Sequence, residues 1–444
     1  MISRQILHPA RVIPLTFLAA IGVGTLLLAL PVASESGEAM PILVALFTAT
    51  SAVCVTGLTV VDTPTTWSAF GEVVILLLFQ VGGFGIMTGA TLLGLLISHR
   101  FRLTQRLLAK AETRSLTLDD VGSVVRVVLA VTMIVELSVA AILTLRLHLA
   151  YDIAWSEAAW SGLFHSVSAF NNAGFSIYSD NLMRFALDGW ILVPIMLAVV
   201  VSGLGFPVVH ELRREWHVPA RWSVHAKLTI FGTTVLLVGG FIAFLLIEWS
   251  NPQTLAEMPP WGRVLNAMFH SVVTRTAGFN AVNIGALLPE SLLVSDMLMF
   301  IGGGSAGTAG GIKVTTFFLL GFVVWNEVRG HTDTTAFGRR VSSEVQRQAL
   351  AVVLLAAGLV SLATLALLAL TPYSLDLVLF EVISAFATVG LSTGITADLP
   401  PTAQIILIGL MYVGRVGTIT VAASLTLRSH TRLYRYPEER PIVG

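Results

Sequence analysis

Four short segments of this chain have the residue types and spacing to bind an ion. SAVCVTGL (Ser51 to Leu58), SAFNNAGF (Ser168 to Phe175), VVTRTAGF (Val272 to Phe279) and SAFATVGL (Ser384 to Leu391) align on a glycine. Gly57, Gly174, Gly278 and Gly390 lie 117, 104 and 112 residues apart, which is too regular for four unrelated turns. Glycine reaches backbone angles closed to other residues and lets strands approach closely. Four such segments converging could turn their carbonyls inward and replace the water around a cation, as selectivity filters do. For one copy, a glycine that merely caps or packs a helix is the plainer reading. Four aligned copies argue against it.

Other chemistries are poorly served. Gly303-Gly304-Ser305-Ala306-Gly307 fits the spacing of a serine nucleophile elbow, but no strand-to-helix turn or histidine and acid partners are evident. Ile312 separates Gly311 from Lys313 and breaks a phosphate-binding loop. The ten histidines show no zinc-ligand spacing, and the single cysteine, Cys54, excludes a disulfide or a paired-thiol site within the chain. The formal net charge is zero and no basic cluster suits nucleic acid. No cofactor is expected.

The elements that must position the four segments read as membrane helices. Of 444 residues, 55% are hydrophobic and 12% charged, against about 25% charged in soluble domains. Each glycine segment has the same surroundings: a long apolar helix, a helix too short to span, the segment, then a second long helix. The first long helices are expected near 12–31, 123–147, 226–249 and 347–371, and the second near 71–98, 189–210, 293–326 and 402–428. Short helices near 40–54, 157–171, 261–274 and 376–388 reach about two thirds of a bilayer core and are read as re-entrant. The first stretch, after Arg4 and Arg11, is longer than a secretory signal's apolar core, and its removal would break the repeat.

Two crossings per repeat make the repeats parallel, which suits one central pore rather than inverted-repeat transport. The expected fold is therefore an all-α integral membrane protein. Its four parallel repeats of helix, pore helix, filter loop and helix occupy residues 1–99, 100–225, 226–346 and 347–444, giving eight spanning and four re-entrant helices. Basic residues concentrate in the N-terminus, the loops His99 to Arg126, His210 to Lys227 and Asn326 to Arg347, and the tail after Leu427. Both termini are then cytoplasmic, in a plasma or inner cell membrane, and the short helices enter from outside. Their C-terminal ends, each about half a negative charge, would face the centre and favour a cation.

These residues carry a family resemblance over nearly the whole chain, including Thr388-Val389-Gly390, the start of the potassium-channel filter motif. The chain resembles the Trk/Ktr/HKT superfamily of potassium transporters. It begins directly at the first repeat, which is more similar to the KtrB-type subunit than to TrkH. The resemblance implies potassium uptake, with one filter per chain lined by backbone carbonyls of Val55, Thr56, Gly57, Asn172, Ala173, Gly174, Thr276, Ala277, Gly278, Thr388, Val389 and Gly390. Glycine at all four positions is the pattern of potassium-selective members. Sodium remains open as a coupled ion.

The second helices echo one another at Gly82 to Gly85, Ser202 to Gly205 and Gly414 to Gly417, whereas GGGSAGTAGGIK (Gly302 to Lys313) departs with six glycines. At about 1 kcal/mol per glycine relative to alanine, a continuous helix there is disfavoured. Only this third repeat is expected to be broken. The resemblance implies an intramembrane gating loop beneath the filter, formed by Gly302, Gly303, Gly304, Ser305, Gly307, Gly310, Gly311 and Lys313, with Arg415 as the family's cation in the fourth second helix. The resemblance also implies a homodimer and a separate cytosolic nucleotide-binding ring of the RCK type, similar to KtrA. The cytoplasmic loops and the tail Arg428 to Gly444 are candidate docking surfaces, although membrane anchoring explains the same charges.

Arg275, Lys313 and Arg415 lie within membrane segments, where each needs a partner or water. Arg415 is expected to hold the loop closed through its carbonyls and to repel cations. Lys313 either does the same or snorkels to the cytoplasmic interface. Arg275 is expected to point behind the filter toward an acid, Glu381, Glu136 or Asp296. Cys54 beside the first filter either reacts with external thiol reagents or is a buried, inert thiol. The rival function is a sodium-coupled secondary transporter of another small solute; an enzyme lacks any credible catalytic group.

Overall fold

The computed structural model describes residues 9–85, 87 and 121–417. Parts of the helices expected near 71–98 and 402–428, most of the segment His99 to Arg126, and the tail Arg428 to Gly444 lie outside the described residues.

The regular secondary structure of the described residues is helical apart from one small hairpin, Thr335–Ala336 with Arg339–Arg340, and two isolated bridges. Helices α1 (Pro9–Leu28), α2 (Ile42–Val53) and α3 (Ala69–Gly85) come first. They are followed by α4 (Val121–Tyr151), α5 (Trp155–Asn171), α6 (Gly189–Leu204) and α7 (Phe206–Glu215). Next are α8 (Val224–Glu248), α9 (Pro260–Val273), α10 (Pro289–Phe300) and α11 (Val314–Val328). The last are α12 (Ser343–Leu370), α13 (Leu375–Phe386) and α14 (Pro401–Tyr412), which runs into a π-helical turn, Val413–Gly417.

Long apolar runs without internal breakers produce the longest rods. Residues 126–151 of α4, the 25 residues of α8 and the 28 of α12 are long and apolar enough to cross a membrane, since 25 residues at 1.5 Å each exceed a core of about 30 Å. Their outward faces carry exposed Leu137, Leu246 and Leu362, an apolar surface that lipid, not water, accommodates. Side-chain caps fix some starts: Asp188 accepts from the Trp190 N–H, and Ser223 from that of Ala226.

The short helices α2, α5, α9 and α13 are buried inside this shell, each ending at a glycine segment. The Phe-His-Ser triplets of α5 and α9 show how such a helix is held. Ser166 donates to the Glu136 carbonyl on α4 (2.5 Å) and Ser271 to the Leu237 carbonyl on α8 (2.7 Å). His165 and His270 each pair, through Nε2, with a serine beyond the segment, Ser176 and Ser295, both at 2.9 Å. Phe164 and Phe269 are buried against neighbouring apolar side chains. Each triplet thus ties its short helix both to the preceding long helix and to the chain that follows.

One second helix differs from expectation. The stretch near 189–210 is not one rod: α6 and α7 meet at 96° about Gly205. Gly205 has φ 89° and ψ 142°, a conformation open in practice only to glycine, and Pro207 sits in the first turn of α7. The break is therefore not confined to the third repeat, whose α10 and α11 flank the non-helical stretch 301–313.

Candidate functional site

The four glycine segments meet in a closed ring. A Cβ on Gly57 would strike the Ala173 carbonyl, one on Gly174 the Ala277 carbonyl at 2.8 Å, one on Gly278 the Val389 carbonyl, and one on Gly390 the Thr56 carbonyl. Each glycine faces the carbonyl preceding the next glycine, and the fourth returns to the first. Nothing larger than hydrogen fits at these positions.

The backbone within each segment follows one pattern. Val55, Asn172, Thr276 and Thr388 have φ of 55°, 59°, 71° and 50°, the glycine two residues later is again positive, and the residue between is not. Left-handed backbone costs a β-branched residue such as Val55, Thr276 or Thr388 on the order of 1 to 3 kcal/mol. Hydrogen bonds to the end of each short helix hold it there. Thr56 N–H donates to the Ser51 carbonyl, Ala173 N–H to that of Ser168, Ala277 N–H to that of Val273 and Val389 N–H to that of Ser384, at 2.7 to 3.0 Å. Gly57 and Gly390 N–H donate to the hydroxyls of Ser51 and Ser384 at 3.0 and 3.1 Å.

This bonding sets the direction of the carbonyls. No cis peptide is present among the described residues, and across a trans peptide the N–H and C=O point opposite ways. N–H groups turned back to the short helices therefore turn the carbonyls of Val55, Thr56, Asn172, Thr276, Ala277, Thr388 and Val389 away from them. A serine lies six residues before the glycine in three of the four segments; Ser51 and Ser384 accept from the glycine N–H, whereas Ser168 donates to the Phe175 carbonyl (2.9 Å).

Beneath the ring, residues 302–313 form a loop with a narrow neck. Gly302 N–H donates to the Ile312 carbonyl (2.8 Å), and Ile312 N–H to that of Phe300 (3.2 Å). One side of the loop packs on the α6–α7 bend: Gly304 N–H donates to the Gly203 carbonyl (2.8 Å), and the backbone of Gly307 lies against Ser202 and Gly205. A side chain on Gly303 would strike Ala309 and Gly203. On the other side Gly310 abuts the Thr388 hydroxyl and Ala387 carbonyl, and Gly311 approaches Ala387. Thr308 Oγ1 donates to the Phe170 carbonyl at the end of α5 (3.4 Å). The loop thus joins the second segment's base to the fourth's, and glycine is what permits backbone contact on both sides. The Ser305 hydroxyl lies 3.4 Å from that of Thr315.

Two buried arginines and the partly buried Lys313 converge on this loop. Arg415, only 2% exposed, donates through Nη1 to the Thr308 carbonyl. Lys313 Nζ donates to the Ala309 carbonyl at 2.6 Å, staying with the loop rather than reaching out. Arg275 donates through Nη2 to the Gly302 carbonyl at 2.7 Å. The expectation of an acid beside Arg275 is corrected. Glu381 instead accepts from Ser392, Thr396 and the Thr393 N–H, at 2.6 to 2.9 Å. Glu136 accepts from Asn171 (3.2 Å) and Gln80 (3.4 Å), and Asp296 Oδ1 is buried without a hydrogen bond. The ion pairs among the described residues are Arg146–Asp188, Arg184–Asp180 and Arg340–Asp333, none at this site. A non-helical loop exposes carbonyls that a helix would consume, and each guanidinium takes one of them while two of its nitrogens stay unpartnered.

Asn172 extends the polar contacts sideways, accepting from Ser202 at 2.9 Å and donating to Thr276 at 3.4 Å. Cys54 is fully buried at the end of α2. External thiol reagents are accordingly expected to leave ion uptake unchanged in the native chain and in Cys54→Ser alike. Reagent inhibition of the native chain that the serine variant escapes would contradict this burial.

A helical shell with apolar outward faces, enclosing a strained glycine ring and a cation-pinned loop, defines a multi-pass membrane protein. Residues 8–430 match the TrkH family model, described as a cation transport protein. The chain belongs to that family, a family of transporters rather than enzymes.

Three relatives match almost end to end. The Ktr system potassium uptake protein B of Vibrio alginolyticus is 36% identical, covering 98% of this chain and 94% of that protein. The protein of the same name from Bacillus subtilis (strain 168) is 35% identical over 98% and 97%. The potassium/sodium uptake protein NtpJ of Enterococcus hirae is 34% identical over 99% and 98%. The crystal structure of the potassium transporter TrkH from Vibrio parahaemolyticus shares the fold, with a TM-score of 0.70, 18% identity, and coverage of 94% of this chain and 85% of that one.

Proposed function

We propose that this chain mediates potassium uptake along the axis of its four glycine segments, with the loop 302–313 as the gate beneath them. The observation carrying this reading is the closed ring of Gly57, Gly174, Gly278 and Gly390, with segment carbonyls turned away from the helices that hold them. In this reading the ion ligands are carbonyls of residues 55–57, 172–174, 276–278 and 388–390, which replace the hydration shell of a weakly hydrated monovalent ion. The four units 1–99, 100–225, 226–346 and 347–444 each contribute one quarter. The matched relatives named for potassium uptake support the choice of ion.

The loop crosses between the second and fourth segments and Arg415 holds it there, which is the arrangement of a closed gate. Arg415 also places a positive charge under the ring, opposing a waiting cation. Both termini are cytoplasmic, so that Arg213 and Arg214 of α7 and the Arg339–Arg340 hairpin face the cytosol. There they would meet a nucleotide-binding ring of the RCK type, similar to KtrA, with the chain acting as a homodimer. The names of the Ktr-system relatives support a multi-component assembly.

Expression in a bacterium lacking its own potassium uptake is expected to restore growth at low potassium. Purified protein in vesicles is expected to accumulate radioactive rubidium, and a sodium titration reads whether sodium is coupled. Protein present in the vesicle membrane without rubidium uptake, at any sodium concentration and with the partner ring added, would exclude this function.

A further inference from the structure

The potassium reading leaves one feature without a role: a buried arginine inside a filter segment with no acid beside it. Arg275 immediately precedes Thr276, the left-handed residue of the third segment, so its backbone belongs to the ring. Its side chain runs the other way, and Nη2 meets the Gly302 carbonyl at 2.7 Å. Gly302 is the neck of the loop, joined to Ile312 by its N–H and too crowded by Gly310 to bear a side chain. One residue therefore connects the ring above to the neck of the loop below.

The remaining donors are as informative. Nε and Nη1 of Arg275 are buried and have no hydrogen-bond partner, although buried polar groups are nearly always satisfied. A guanidinium held by a single carbonyl, with further donors free, can exchange acceptors when the backbone around it moves. The neck carbonyls lie within the segment that must move for ions to pass. No carboxylate locks the group in place: Glu136 and Glu381 are engaged elsewhere, and among the described residues Asp296 forms no ion pair with it.

We infer that Arg275 is a positioning residue that couples the third filter segment to the gate, holding the loop neck against the ring when closed and exchanging carbonyl partners as the loop withdraws. This inference rests on the proposed potassium pathway. It differs from the role given to Arg415, which donates to Thr308 in the middle of the loop and belongs to the fourth second helix rather than to a filter segment.

The test measures rubidium and sodium uptake by vesicles holding the full-length native chain, Arg275→Gln or Arg275→Lys, with no partner protein added. Loss of a charge-assisted bond at the neck is expected to raise basal rubidium uptake about tenfold in Arg275→Gln and to lower the rubidium-to-sodium ratio in the same preparation. Arg275→Lys, which keeps a charged donor, is expected to recover much of both. A residue that only supports packing would change uptake per vesicle in step with the amount of folded protein, leave the ratio unmoved, and overturn the inference. If Arg275→Gln does not reach the membrane, Arg275→Met, which also removes the charged donor, carries the comparison, and native leak and ratio there would also overturn it. A native chain that moves no rubidium even when the partner ring is added would instead refute the potassium pathway itself, so the two failures are separable.

Discussion

Gly278→Ala is expected to reduce rubidium uptake about a hundredfold while the protein still reaches the membrane. Gly278 has φ 71°, and an added Cβ would strike the Val389 carbonyl and lie 3.1 Å from the Gly390 Cα and 3.2 Å from the Gly174 Cα. All three obstacles are backbone atoms of neighbouring filter segments, so no rotamer change relieves them. A penalty of ~3 kcal/mol at such a site, with tenfold per 1.4 kcal/mol, gives the stated effect. Alanine at Gly239 or Gly358, where a Cβ meets nothing within 4 Å, supplies the control and should leave uptake unchanged. Uptake by Gly278→Ala equal to that of these controls would remove the ring from the ion pathway.

Arg415→Met is expected to act in the opposite direction, raising uptake measured without any partner by about ten- to a hundredfold. The native guanidinium is buried and donates to the Thr308 carbonyl, with Nε and Nη2 unpartnered. A hydrogen bond to a charged group contributes about 1.5 to 3 kcal/mol, and losing it frees the middle of the loop. Methionine keeps much of the side-chain volume, which limits collapse of the site. Removing the charge also lowers the electrostatic cost of a cation beneath the ring. Basal uptake no different from the native chain would show that Arg415 does not hold the loop.

The two arginines differ in how far the sequence foretold their partners. For Arg415, the glycine-rich stretch could be named in advance as the source of carbonyls, because a run of six glycines is a poor helix wherever it lies. For Arg275, the sequence offers three acids, Glu136, Asp296 and Glu381, and none is its partner. Charge-pairing rules concern which groups attract, while the choice among acceptors depends on distance. Gly302 lies 27 residues away in sequence and within hydrogen-bond reach in space.

The break at Gly205 was half legible. Ser202 to Gly205 echoes the glycine pairs of the other second helices, and Pro207 follows closely, yet glycine alone is tolerated inside apolar helices. The carbonyl of Ser305 abuts Gly205, and the Gly304 N–H binds the Gly203 carbonyl. The bend is thus shaped by a loop from another repeat, about a hundred residues further along.

What the sequence determined by itself was whatever depends on local chemistry. The apolar runs require lipid and helices, and glycine at Gly57, Gly174, Gly278 and Gly390 permits backbone angles and contacts that other residues refuse. Tertiary structure decided which groups face each other: the glycines in a ring, Arg415 on Thr308, Arg275 on Gly302, and Glu381 on its own following turn. The physical reason is that hydropathy and backbone freedom are properties of single residues and their neighbours, whereas hydrogen bonds in a dry interior are chosen by apposition of segments from different repeats.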